Sequence, residues 1–264
     1  VSLFQQQKLL NLRLQNVQKL SSLYQKRLSN GDANILETNK IELELYNIKT
    51  QMRLIETERN NKLKELQTLN GNLPIGEELT DYSPVDFPVN FEIYSQEAIA
   101  ADPELRSLEN ELKVARKNIS LSKSLWFPKF EIGYIREMEP TDKYNGISFG
   151  ISIPLFENRN KIKQAKALSG YTQMQIENTR LQSLSTLRQL YDQATNLKIS
   201  MQEYNKLLQS QKTLSLLNKA LENGQLSMIE YFIEANQVYE SMQNYLQLEN
   251  QYQQIVSQMY RFKL

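Results

Sequence analysis

The segment VQKLSSLYQKRLSNG at residues 17–31 returns 193 residues later as SQKTLSLLNKALENG at 210–224, with eight of fifteen positions identical and an Asn-Gly pair closing both. Beyond the pair, Glu37 matches Glu230 and Tyr46 matches Tyr239 at the same offset. Two Leu- and Lys-rich helices agree in composition easily, but a shared turn at a shared register is much harder to obtain by accident. The chain therefore contains two copies of a helix, turn, helix unit.

The punctuation of the chain supports this. Gly31 is the only glycine in the first seventy residues, proline is absent from 1–73 and again after Pro154, and five of the eight glycines fall between 71 and 154. Both ends are predicted helical and the middle broken. Helices over 1–29 and 33–69 form a hairpin. GNLPIGEELTDYSPVDFPVNF (71–91) is an irregular connection. Asp102 then caps a helix with Pro103 at its first position, running to about 126. After Asn158 a helix continues to Glu222 across Gly170, and a last one runs from 226 to 262. Apolar residues in these two helices recur at a spacing near seven: Leu187, Ala194, Met201 and Leu208 beside Leu190, Leu197 and Tyr204, and Met228, Ala235, Met242 and Val256 beside Tyr231, Val238, Tyr245, Tyr252 and Met259. Glu249 breaks the first row of the last helix, and the whole is a coiled-coil seam.

Between the helices lie two segments of period two. PKFEIGYIREME (128–139) puts Phe130, Ile132, Tyr134 and Met138 on one face, interrupted by Arg136; GISFGISIPLF (146–156) puts Ile147, Phe149, Ile151, Ile153 and Leu155 opposite Ser148, Gly150 and Ser152. With PTDKYN between them they are predicted to form a β-hairpin. The chain divides into a first helical hairpin (1–70), a connection (71–93), a short helix (94–126), the β-hairpin (127–157) and a second helical hairpin (158–264) with its tip at 223–225. The fold class is mainly α, long antiparallel coiled-coil hairpins with an inserted β-hairpin.

At 1.5 Å per residue the helix before the second tip is roughly 100 Å long, the one after it roughly 57 Å and the one before the strands roughly 35 Å. Two short helices stacked end to end beside one long helix would make a uniform rod. The first copy has only some 30 residues before its turn, where the second has about 65. The reading is that the sequence begins partway down the first long helix, with the rest of that helix, another strand pair and another short helix upstream.

Chemistry is limited by what is missing. The 264 residues hold no cysteine and no histidine, which excludes thiol nucleophiles, disulfides, Cys/His zinc sites and Ser-His catalysis. The 31 basic and 30 acidic side chains nearly cancel, so a nucleic-acid partner is not expected. The carboxylates are scattered along helices at solvated positions, none paired in an apolar setting as an acid and base would be. No enzyme activity, cofactor or metal site is expected. No run of eighteen apolar residues provides a transmembrane helix, and VSLFQQQKLL has no signal-peptide pattern.

The passages PELRSLENELKVARKNISLSKSLWFPKFEIGYIRE and GISFGISIPLFENRNKIKQAKA, with the two Asn-Gly tips, resemble the TolC-like outer-membrane efflux proteins, and PLFENRNKIKQA is most similar to their cobalt-zinc-cadmium (CzcC-like) branch. The resemblance implies a homotrimer in the cell outer membrane, most of each chain lying in the periplasm, in which strands join one shared β-barrel and helices form an α-barrel tunnel. Partners would be a periplasmic adaptor and an inner-membrane pump, and the cargo metal cations or drugs, conducted passively. The family supplies four strands per chain where this sequence has two, which fits an absent upstream part.

The resemblance also suggests roles for residues. Leu28, Asn30 and Gly31, with Leu221, Asn223 and Gly224, match the tip motif through which the channel meets its adaptor; plain turn chemistry explains the same glycines. Glu230 falls at the place of an acidic residue ringing the periplasmic aperture, while Ile233 occupies the next acidic position; a solvated helix carboxylate is the alternative for Glu230. Arg27, Asp32 and Glu37 are candidates for interchain contacts holding the aperture closed. Trp126, Phe127 and Tyr144 stand where an aromatic membrane girdle would lie. A soluble coiled-coil scaffold is the alternative function, and the β-hairpin discriminates against it, because a scaffold has no reason to carry strands of membrane height.

Overall fold

A computed structural model of the chain describes residues 1–75, 80–138, 143–155, 158–210 and 213–263. The elements are α1 (Ser2–Asn30), α2 (Ile35–Leu69), α3 (Phe91–Ala101), α4 (Pro103–Ser124), β1 (Lys129–Met138), β2 (Lys143–Ser152), α5 (Lys161–Ser210), α6 (Thr213–Glu222) and α7 (Met228–Met259), followed by a 3-10 turn at Arg261–Lys263. They fall into two compact units, one of residues 1–87 and 190–259, the other of 88–189 and 260–264. The long helix α5 contributes to both.

In the first unit α1 packs on α2 and on α7, and α7 packs on α6. The apolar spacing explains the arrangement. Leu10, Val17, Leu20 and Tyr24 of α1, Ile41 and Ile48 of α2, Leu221 of α6, and Met228, Tyr231, Phe232, Ala235 and Tyr239 of α7 make one core. Ile41 and Ile48 are each 1% exposed, and full burial of such a side chain contributes about 1.5–3 kcal/mol. Of the predicted heptad rows of α7, Met228, Tyr231, Ala235, Tyr252, Val256 and Met259 are buried, Val238, Met242 and Tyr245 are half-buried, and Phe232 and Tyr239 are buried outside the rows. Glu249, which breaks the row, is partly buried, and that desolvation raises its pKa.

In the second unit α4 lies antiparallel to the first part of α5: the Ser183 hydroxyl donates to the Asp102 carboxylate (3.1 Å) and the Arg116 guanidinium to the Gln173 side chain (3.3 Å). Leu105, Leu112 and Ala115 of α4 are buried, with Ala165 and Thr172 of α5. Tyr94 of α3 meets Tyr260 and Phe262 at ring-centroid distances of 6.2 and 6.0 Å, and burial pushes its phenol up to about 12.

Several predicted boundaries shift. The expected connection over 71–93 gives way to α3 at Phe91, started by the Asn90 side chain accepting from the Glu92 and Ile93 amides. The cap expected at Asp102 is there, with Pro103 at the first position of α4, and the expected helix over 94–126 divides into α3 and α4 at that residue. β2 begins at Lys143 rather than 146, because Lys143, Tyr144 and Asn145 pair with Met138, Glu137 and Arg136. Backbone pairing carries those three residues into the sheet although their side chains do not continue the apolar alternation. Residues 139–142 of the expected turn lie outside the described residues.

Candidate functional site

The two tips are built alike. At the first, Gly31 sits at φ 81°, its amide donates to the Leu28 carbonyl (3.1 Å), and the Asp32 amide reaches back to the Arg27 carbonyl (2.8 Å). At the second, Gly224 sits at φ 70°, with Gly224 to Leu221 at 3.1 Å and Gln225 to Ala220 at 2.8 Å. These bonds satisfy the last carbonyls of each helix, and only a left-handed residue after the helix allows them, which glycine adopts at least cost. A β-carbon built on either glycine meets nothing within 4 Å, so both backbones are open to their surroundings.

Each returning helix starts with a reciprocal cap. Asn34 accepts from the Leu36 and Glu37 amides (2.8 and 3.1 Å), and the Glu37 carboxylate accepts from the Asn34 amide (3.0 Å). Ser227 and Glu230 repeat the pattern: the Glu230 amide donates to the Ser227 hydroxyl oxygen (3.2 Å) and the Ser227 amide to the Glu230 carboxylate (2.8 Å). Those bonds hold the Glu230 pKa below its ordinary value of 4.5. Glu37 and Glu230, expected at an aperture, are thus both capping residues, and the repeat extends to their caps.

Arg27 donates to the Glu222 carbonyl (3.4 Å) and lies over the Tyr24 ring at 5.3 Å, which brings the two tips side by side. Asn30, Gly31, Asp32, Asn223 and Gly224 are exposed. Leu28 is half-buried, and Leu221 at 1% exposed belongs to the core, so Leu221 supports the tip from below.

Sequence reasoning missed a polar cluster one level further in. The Arg13 guanidinium pairs with the Glu44 carboxylate at 2.5 Å, donates to the Asn236 side chain at 2.8 Å and lies 5.3 Å over the Tyr239 ring. The Asn16 amide donates to the Tyr239 hydroxyl at 2.7 Å. The cluster fixes the register of α1 against α2 and α7. Its only sequence signal is that Tyr239 belongs to the repeat.

The strand pair is antiparallel over Lys129–Met138 and Lys143–Ser152, with Phe130, Ile132 and Tyr134 opposite Ile151, Phe149 and Ile147. All six are between 65% and 76% exposed. Within one chain this is an apolar ladder with nothing against it. The other face carries Glu131, Gly133, Ser148 and Gly150. At the base Trp126 (48%) and Phe127 (71%) are exposed; the Tyr144 side chain lies outside the described residues. Asn158, also missed, is 4% exposed and donates its side-chain amide to the Leu125 carbonyl, tying the chain leaving the hairpin to the chain entering it. Among the described residues no helix is long and apolar enough to cross a membrane and no cluster of acidic residues has metal-binding geometry.

Paired helical hairpins with an inserted antiparallel strand pair define a mainly helical class of chain. The outer membrane efflux protein family matches residues 94–262, and the chain belongs to that family. No curated protein matches it. Among solved structures, CusC is similar with a TM-score of 0.84 at 16% identity, covering 99% of this chain and 64% of its own. VceC from Vibrio cholerae gives 0.81 at 13%, covering 99% and 66%, and the open state of MtrE from Neisseria gonorrhoeae 0.74 at 14%, covering 99% and 64%. At these identities the likeness is one of fold. The chain spans less than two thirds of the length of each.

Proposed function

We propose that this chain forms the outer-membrane and periplasmic duct of a tripartite efflux system. As a homotrimer it would give its strands to a shared β-barrel and its helices to a periplasmic tunnel, conducting cargo passively while an inner-membrane pump supplies the energy. The observation that carries this reading is the strand pair: ten residues per strand, apolar on one exposed face and Gly/Ser-rich on the other. That is the pattern a membrane barrel needs, with lipid outside and water in the lumen. In water alone, so large an exposed apolar ladder would be an aggregation hazard. Trp126, Phe127 and Tyr144 would lie at the interface where amphipathic rings are favoured.

The tips are the proposed docking site for a periplasmic adaptor. Asn30, Gly31, Asn223 and Gly224 offer bare backbone, with Leu28 beside them and Leu221 holding the second tip in place. The acidic second tip, with Glu222, Glu230 and Glu234, would make the tunnel mouth prefer cations; Arg27, Asp32 and Glu37 of the first tip stand where neighbouring copies would meet it. The full protein in planar lipid bilayers is expected to give stepwise ion conductance. A membrane-inserted oligomer that conducts nothing overturns the reading.

A further inference from the structure

The chain carries 31 basic and 30 acidic side chains, and that balance fails at one place. Between Glu111 and Glu131 stand Lys113, Arg116, Lys117, Lys123 and Lys129 without a carboxylate; between Glu157 and Glu177 stand Arg159, Lys161, Lys163 and Lys166, again without one. The second unit brings the two runs together on the antiparallel α4 and α5. Because Arg116 bonds Gln173, Glu111 and Glu177 fall at about the same level, each the first carboxylate on its helix below the strand pair. At 1.5 Å per residue the carboxylate-free zone reaches roughly 20 Å from Trp126.

Lys161 is half-buried and the other eight cations are exposed, while Glu157 lies outside the described residues. Among the described residues no ion pair joins any of the nine to a carboxylate. A helix face that only had to stay in water would pair its lysines with acids one turn away, as Lys62 pairs with Glu65 on α2 at 2.9 Å. The top of the zone also has a shaped recess. Trp126, Asn158, Asn160, Ile162, Lys163 and Lys166 line a hollow of about 310 Å³. Lys163 and Lys166, three residues apart, share one helix face. Asn158, bonded to the Leu125 carbonyl, fixes the wall that carries Trp126.

We propose that this recess holds the headgroup of an anionic phospholipid from the leaflet facing the periplasm. Lys163 and Lys166 take the phosphate, and Trp126 lies against the glycerol and upper acyl chain. Lys123, Lys129 and Arg159, at the base of the strand pair, add to the local positive potential. A zwitterionic headgroup would bring its own cation into this zone, so charge complementarity selects an anionic one. The inference rests on the outer-membrane reading: if the strands cross the bilayer, Trp126 and Phe127 mark its boundary, and the cations beside them stand where an anionic lipid surface attracts them.

Bromine on an acyl chain quenches tryptophan fluorescence on contact, and subtracting the signal of a Trp126→Phe protein isolates the share of Trp126. The full protein is reconstituted in phosphatidylcholine vesicles containing brominated phosphatidylglycerol or, in parallel, the same share of brominated phosphatidylcholine. Quenching of Trp126 is expected to be several-fold stronger with phosphatidylglycerol. Half-quenching should need roughly five-fold more of it for each lysine removed in Lys163→Gln and in Lys163→Gln/Lys166→Gln, and no more of it in Lys206→Gln, an exposed lysine near the other end of α5. Native mass spectra of the solubilised protein give the same reading without the tryptophan: phosphatidylglycerol is retained by the parent and lost from the double variant. Equal quenching by the two lipids, or a preference that survives in the double variant, overturns the site, and a parent protein that inserts and conducts then leaves the duct standing. A parent protein that stays outside the vesicles overturns both.

Discussion

Asn158 is where a single side chain carries the most. It is buried within PLFENRN, and its amide serves the Leu125 carbonyl, the last residue position before Trp126 and the strands. Replacing it with alanine leaves that carbonyl without its partner, at a cost of about 1–3 kcal/mol. Asn158→Ala is expected to lower the unfolding free energy of the full protein in urea denaturation by that amount and to leave the tips unchanged, which amide exchange at Gly31 and Gly224 would check. Nothing in composition or periodicity marks Asn158, since a buried amide is recognised only when the carbonyl it serves is known. Arg13 is similar: its partners Glu44, Asn236 and Tyr239 lie on two other helices, and one sequence without its fold gives no way to bring them together.

At the scale of elements the sequence was far more legible. Repetition located both tips, and heptad spacing found six of the eight buried residues of α7, because those patterns are local and survive any tertiary arrangement. Of α3, residues 94–101 lie in the expected short helix and only its first residues were assigned to the connection, because its start rests on the Asn90 cap after a proline-rich stretch rather than on periodicity. The start of β2 was misplaced because Lys143, Tyr144 and Asn145 are held by backbone pairing, which leaves no mark on polarity. For the tips, turn chemistry and docking can be separated by substitution. Gly224→Ala forces an alanine to φ 70° and is expected to cost about 1–2 kcal/mol, whereas Gly224→Asn tolerates that backbone and should cost less. If the bare backbone docks the adaptor, Gly224→Asn keeps the stability of the parent in urea denaturation and still loses adaptor binding. Equal binding by the Asn variant would leave Gly224 a turn residue only. For the strand pair, Phe149→Arg places a charge in the middle of the apolar ladder. Such a charge costs about 2–4 kcal/mol at a bilayer midplane, so the variant should fail to insert into vesicles while its helical circular dichroism is retained.

For the whole molecule, the two readings of Glu230 meet in its protonation. In the single chain the Ser227 amide and hydroxyl stabilise the charged carboxylate and lower its pKa. The cap's contribution is therefore complete above the ordinary value of 4.5 and is lost as pH falls through the lower folded value. Three such carboxylates around a narrow throat would repel one another and push the same pKa upward, more strongly the closer they stand. Repulsion between exposed charges is screened beyond about 8 Å at physiological salt, whereas the Ser227 bonds are local to each chain and survive any throat width. The cap should therefore win unless the mouth is constricted to that distance. Cation preference of the conducting protein is expected to persist below the pH at which ordinary glutamates protonate, and Glu230→Gln should remove that low-pH part while leaving the conductance itself. Reversal potentials under a salt gradient, measured from neutral pH down to about pH 3, a range set by the usual carboxylate values, decide between the two. A preference that fades above the ordinary value would mean that the three carboxylates crowd one constriction, and one unaffected by Glu230→Gln would leave the residue to its cap alone.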